Sequence, residues 1–311
     1  MKKIFIAGHK GMVGSAIYRN ISKKNKIYIA DKKKVNLLNL EKTFNFFNKH
    51  KFDEVYISAA KVGGILANKK YPADFIYEIL QIQNNCIISA FRTKVKKLLF
   101  LGSSCIYPKK SKIPIQETYL LTGKLEKTND AYAVAKIAGI KMCESFNNQY
   151  NTDFRAVMPT NLYGPNDNYN TEDSHVLAAL IKKIIFAKKN NKKKIIIWGN
   201  GKPKREFLHV DDFAKACIKI MSISKKEYFK ICDKDYQFFN VGSGEEISIK
   251  KLALLISKIT NYKGKFEYDK SKPNGTYRKL INSSKILKLN WKPKISLLLG
   301  IKSIINKETI N

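Results

Sequence analysis

Short apolar runs alternate with longer helical patterns over the first 160 residues, and this rhythm constrains the fold more than any other feature. Ile4–Ala7, Ile27–Ala30, Glu54–Ala60, Lys97–Gly102 and Phe154–Met158 read as strands. Met12–Ile21, Leu40–Asn48, Ala73–Phe91 and Tyr132–Tyr150 carry helical spacing. Strands separated by helices pair in parallel through right-handed crossovers, so the expected fold is α/β, a doubly wound parallel sheet. After Tyr163-Gly164-Pro165 the rhythm changes. Asn166–Asp173 is polar and loop-like. His175–Lys188, Asp211–Ile223 and Ser248–Thr260 read as helices, the last opened by a serine suited to capping. Ile195–Trp198 and Phe238–Val241 read as strands. The expected division is residues 1–164 as one domain and residues 165–311 as mainly a smaller α/β domain, with part of 207–242 returning to the first sheet.

Gly8-His9-Lys10-Gly11-Met12-Val13-Gly14 follows the first strand and opens the first helix. Glycines there let the backbone approach a pyrophosphate, turn helix amides toward it and pack helix against strand. The larger domain is therefore expected to bind a dinucleotide. Asp31, at the end of the second strand, suits a ribose 2′-OH and favours NADH. Lys10, Lys32 and Lys33 could neutralise a 2′-phosphate and favour NADPH, which is the expected cofactor. NADH remains the alternative.

Composition removes several other classes. The chain is 44% hydrophobic with apolar runs throughout, so disorder is excluded. It has no apolar run of spanning length, and Met1–Gly8 is too short in apolar residues for a secretory signal, so no membrane partner is expected. Five cysteines (Cys86, Cys105, Cys143, Cys217 and Cys232) show no CxxC spacing and read as reduced thiols of a cytoplasmic protein. With the four histidines they make no zinc pattern, so no metal is expected. The net charge of +34 first suggests nucleic acid. However, only five of the 59 basic residues are arginine, the residue that leads base and bidentate phosphate recognition. The lysines are scattered, so the charge reads as compositional and no specific nucleic-acid partner is expected.

Tyr132 and Lys136 stand four apart on one helix face, and Ser103 and Ser104 follow the strand Leu98–Leu101 at its carboxyl end. A cation about 4 Å from a phenol contributes about 4 kcal/mol at an effective dielectric of about 20. That corresponds to about 3 pKa units, enough to let Tyr132 exchange protons near neutrality. Ser103 would hold a substrate carbonyl.

With these residues the chain resembles the extended short-chain dehydrogenase/reductase superfamily, and within it the branch acting on GDP-linked 4-keto-6-deoxy sugars. The resemblance rests on the segments 5–15, 59–64, 71–76, 100–108, 132–141, 158–165, 205–212 and 271–275, which span nearly the whole length. It implies a Rossmann-type fold and a cytoplasmic, commonly homodimeric enzyme. That enzyme epimerises its GDP-sugar at C3 and C5, then reduces C4 with NADPH. It also implies Cys105 as the base and His175 as the acid of epimerisation, and Tyr132 with Lys136 and Ser103 for the reduction. Ser103, Ser104, Cys105, Ile106, Lys136, Pro159, Thr160, Asn161, Leu162 and His175 would line the cofactor. Lys183, Trp198, Arg205 and Asn274 would face the GDP-sugar, the two cations suiting a pyrophosphate and the indole a flat face. Asn274 departs from the aspartate usual in that stretch, keeping one acceptor and losing the charge. A 4,6-dehydratase or 4-epimerase on the same scaffold is the nearest rival; the dehydratase pattern of Thr followed by Asp-Glu is replaced here by Ser103-Ser104-Cys105. A basic nucleic-acid-binding or scaffold relative without activity is the rival from another class, and it rests on charge alone.

Overall fold

The computed structural model describes residues 1–59, 65–169, 174–272 and 274–307. In chain order these form β1 (Lys3–Ala7), α1 (Met12–Asn20), β2 (Lys26–Ala30), α2 (Leu40–His50), β3 (Glu54–Ile57), α3 (Ile65–Lys70), α4 (Pro72–Arg92), β4 (Lys97–Leu101), α5 (Asp130–Tyr150), β5 (Phe154–Pro159) and β6 (Asn161–Tyr163). Then follow α6 (Val176–Lys189), β7 (Lys194–Trp198), β8 (Lys204–His209), α7 (Val210–Ser222), α8 (Lys225–Ile231), β9 (Phe238–Val241), β10 (Glu246–Ser248), α9 (Ile249–Thr260), β11 (Lys265–Asp269), β12 (Arg278–Lys279), α10 (Ser284–Leu287) and α11 (Leu297–Lys307).

Six strands make a sheet in the order β2-β1-β3-β4-β5-β9, and every pair in it is parallel. Successive strand residues point to opposite faces. Phe5, Val55, Leu98, Phe100, Phe154 and Ala156 therefore bury against α2, α4 and α5 on one side. Ile4, Ile6, Leu99, Val157 and Phe239 bury against α1 and α7 on the other. Each large apolar side chain buried in this way stabilises the fold by about 1.5–3 kcal/mol. Buried on both faces, these strands read as continuous apolar runs, which is why they were visible in the sequence.

A third apolar cluster joins Leu180 and Ile184 of α6, Leu252 and Ile256 of α9, Ile301 of α11, Ile195 of β7 and Phe207 of β8. There β8 is flanked by β10 and β12 and also pairs with β6, while β7 pairs with β11. The chain returns from β8 through α7 to β9 at the edge of the large sheet. Ser248 caps α9 as expected, accepting from the Lys251 amide. β3 ends at Ile57, short of the expected Ala60, with one further bond from Ser58 N to Ala7 O beyond it. Ala60 itself, like residues 170–173 of the expected polar loop, lies outside the described residues. The short strands β6, β8, β10, β11 and β12 carried no readable alternation.

Candidate active site

The Gly8–Gly14 turn sits at the carboxyl ends of β1 and β3, where successive strands step off to opposite sides of β1 and α/β sheets place ligands. Gly8 has φ 83°, and a Cβ there would lie 2.7 Å from Ala59 N. A Cβ on Gly14 would lie 2.1 Å from Gly8 O. Gly11 precedes α1 without a side-chain cap, so the first amides of the helix face the turn. This cradle fits a pyrophosphate. Met12 and Val13 pack against the second core face. At the neighbouring strand end, Lys10 Nζ lies 3.3 Å from Asp31 Oδ2, and Asp31 Oδ1 accepts from Lys34 N at 3.1 Å. The Lys34 amide and then Lys10 hold the Asp31 carboxyl below its usual range. His9, partly buried and beside Lys10, is held below its usual value and is neutral at pH 7. Lys32 and Lys33 are exposed.

β4 delivers the second set. Beyond Leu101, Ser103 caps a 3-10 turn, Ser104–Ile106, its Oγ accepting from Cys105 N at 3.2 Å. Ser104 and Ile106 are buried. α5 lies close over this strand end, because Gly139 leaves room for the Phe100 ring. Tyr132, on its first turns, hydrogen-bonds with Ser103 and feels the Cys105 charge. Ser103, Cys105 and Tyr132 thus share one corner.

Lys136 departs from expectation. Its Nζ donates to Leu101 O at 2.8 Å and stands 5.1 Å from the Phe100 ring centre and 5.9 Å from that of Tyr132. The ammonium is spent on a carbonyl and on ring faces, not on the phenol oxygen. Burial brings Lys136 down to about 8. The Tyr132 phenol is accordingly not lowered: burial, then Cys105, raise it above its usual value. It is a protonated acid at neutral pH.

Two residues that no motif flagged complete the corner. Asn129 Nδ2 donates to Cys105 Sγ at 3.2 Å, and Lys279 Nζ lies 3.7 Å from the same sulfur. Burial alone would raise the Cys105 thiol. The Lys279 charge and hydrogen bonds from Ser103, Asn129 and Lys279 outweigh it and bring the thiol below its usual value. His175, just before α6, is exposed yet closely surrounded by protein, and burial followed by Lys279 lowers it. Lys279 is therefore the charge common to Cys105 and His175.

At the end of β5, Thr160 N donates to Val241 O at 3.1 Å and Asn161 Nδ2 to Glu206 O at 2.8 Å. Pro159, Thr160, Asn161 and Leu162 thereby tie the large sheet to β8. Farther along, Lys183 and Lys272 place Nζ 5.6 and 5.8 Å from the centre of the Trp198 ring, which is 47% exposed. Burial lowers Lys183 and Arg205, although the latter stays charged at any working pH. Arg205 pairs in register with Lys279, and its Nη1 donates to Lys204 O at 2.8 Å. Asn274, exposed, accepts on its Oδ1 from Asn200 N at 2.8 Å and so closes the turn after Trp198. Pro273 and most of the Ala59–Gly64 segment lie outside the described residues. Among the described residues no cluster could hold a metal ion, and no helix is long and apolar enough to cross a membrane.

A family profile described as "NAD dependent epimerase/dehydratase family" matches residues 4–232. The chain is 47% identical over 304 residues to the GDP-L-fucose synthase of Escherichia coli (strain K12), covering 97% of this chain and 95% of that one. It is 50% identical over 301 residues to a putative GDP-L-fucose synthase 2 of Arabidopsis thaliana, covering 96% and 89%. Among solved structures it is similar to a GDP-D-glycero-L-gluco-heptose synthase from Campylobacter jejuni determined in the presence of NADPH, with a TM-score of 0.91, 37% identity, and 98% and 97% of the two chains covered.

Proposed function

The chain belongs to the NAD dependent epimerase/dehydratase family, and from that premise we propose that it converts GDP-4-keto-6-deoxy-D-mannose to GDP-L-fucose by 3,5-epimerisation followed by NADPH-dependent reduction at C4. The observation that carries this reading is the Cys105 thiol sharing Ser103 with Tyr132. A simple reductase has no use for a second proton-transfer group there.

The C4 ketone acidifies the hydrogens on C3 and C5. Cys105, as thiolate, takes such a proton and leaves an enolate. His175 returns a proton to the opposite face. It is neutral at rest and open to water, so it relays protons from solvent. In the second half Tyr132, held protonated, gives its proton to the C4 oxygen while Ser103 orients that oxygen. A bound reduced nicotinamide supplies the hydride. Its pyrophosphate would rest on Gly8, Gly11 and Gly14, and Lys136 would hold its ribose. Asp31 is committed to Lys10 and to the Lys34 amide, which leaves Lys32 and Lys33 to meet a 2′-phosphate and favours NADPH over NADH. Lys183, Trp198 and Arg205 would take the GDP moiety.

Residues 1–164, with α7 and β9, would form the cofactor domain, and the remainder the substrate domain. The five cysteines are all free, which fits a cytoplasmic enzyme. Tyr77 of α4 and Val134 of α5, 63% and 46% exposed, favour a homodimer through these two packed helices.

The test is purified enzyme with GDP-4-keto-6-deoxymannose and each reduced nicotinamide, followed by nicotinamide absorbance and by NMR of the product. Consumption of NADPH and a product inverted at C3 and C5 are expected. Reduction without inversion would reject the epimerase half. Turnover without net cofactor use would point to a 4-epimerase. A Cys105→Ser variant should lose deuterium exchange at C3 and C5 while retaining part of the reduction.

A further inference from the structure

We propose that Lys279, carried on β12, sets Cys105 up as the proton-abstracting base, with Asn129 fixing the sulfur from the opposite element. The proposal rests on Cys105 being the base of the reaction above. Two pieces of chain remote in sequence converge on the sulfur, Asn129 ahead of α5 and Lys279, 174 residues away from Cys105, while Ser103 Oγ beyond β4 accepts from the Cys105 amide.

Lys279 is not a swinging surface lysine. Its strand is in register with β8, Lys279 opposite Arg205. The next residues are fixed as well: Leu280 O accepts from Ile115 N at 2.8 Å, Ile281 N donates to the buried Glu206 carboxylate at 3.1 Å, and Asn282 N donates to Ile115 O at 2.8 Å. Among the described residues no carboxylate lies within ion-pair distance of Lys279, although it is half-buried. An ammonium so placed needs an anion, and the sulfur is the polar atom it reaches. Asn129 supplies the matching orientation. Its Oδ1 is buried without a partner among the described residues, whereas its Nδ2 points at the sulfur. The donor side thus faces the sulfur.

The titratable groups facing the sulfur are Lys279 from β12 and Tyr132 from α5; His175, ahead of α6, is coupled through Lys279. The phenol is neutral, so Lys279 is the one charge on the sulfur among the described residues. An opposite charge at such range moves a titration by about 1–3 pH units.

Iodoacetamide provides a readout that does not depend on turnover, because Cys86, Cys143, Cys217 and Cys232 are buried and only Cys105 is accessible in the native protein. Its alkylation rate against pH gives the thiol midpoint, with the modified residue confirmed by mass spectrometry. Lys279→Met should raise that midpoint by about 1 unit or more and slow deuterium exchange at C3 and C5 of GDP-4-keto-6-deoxymannose at neutral pH by about tenfold or more, the loss shrinking as pH rises. Lys279→Arg should keep the low midpoint, and Asn129→Ala should raise it by less than Lys279→Met. Equal midpoints in the parent and Lys279→Met would overturn the proposal. A raised midpoint with exchange at the parent rate would instead overturn Cys105 as the base, leaving the charge coupling intact.

Discussion

Lys136 shows how a single residue can serve chemistry at the expense of stability. Its ammonium is buried on Leu101 O with no carboxylate partner among the described residues. Burial lowers it from 10.5 to about 8, which at about 1.4 kcal/mol per unit is a penalty of about 3 kcal/mol on the charged form. The sign follows from proton counting. The unfolded chain holds this proton more tightly, so the penalty is full below about pH 8 and fades as pH rises toward 10.5. Lys136→Met should therefore raise the melting temperature of the cofactor-free enzyme at pH 7 by about 2–5 °C, with a smaller gain at pH 10. Reduction should fall by about 100-fold or more, because the nicotinamide ribose and the Tyr132 environment are lost. A lower melting temperature at pH 7 would show that the stem's packing outweighs the buried charge.

At the scale of elements, the site is made by close approaches. Gly14 lets α1 start against Gly8 O and Ser58, and Gly139 lets α5 lie on Phe100. A Cβ at 14 meets backbone, which cannot rotate away, so the turn itself must move. Gly14→Ala should weaken NADPH binding by about tenfold or more while α5 and the Cys105 corner stay intact. Fluorescence titration with NADPH measures the first effect and iodoacetamide labelling of Cys105 the second. Unchanged NADPH affinity would mean that the cradle does not hold the dinucleotide.

For the whole molecule, the net charge of +34 is a standing repulsion. Most lysines are exposed on solvated faces, and the screening length shrinks from about 14 Å to about 6 Å between 50 and 300 mM salt. The melting temperature should rise over that interval, and the KM for the GDP-sugar should rise with it as long-range attraction for the diphosphate is screened. A KM insensitive to salt would show that recognition rests on contacts inside the cleft alone.

The parallel sheet, the Gly8–Gly14 turn and the Ser103, Tyr132 and Lys136 set were legible because each is local: an apolar run buried on two faces, a glycine spacing, an i,i+4 pair. Cys105 and His175 became candidates only through the family resemblance, since neither a thiol nor an imidazole announces its surroundings. Asn129 and Lys279 left no trace, because a two-residue strand has no periodicity and their role depends on meeting a sulfur from the far end of the chain. The direction of Lys136 and the engaged acceptor of Asn274 were decided likewise, by which carbonyl or amide stood nearest once the chain had packed. Sequence determined the scaffold and the chemistry available to it. Tertiary structure alone decided which charge acts on which proton, because electrostatic coupling depends on distance and burial rather than on spacing along the chain.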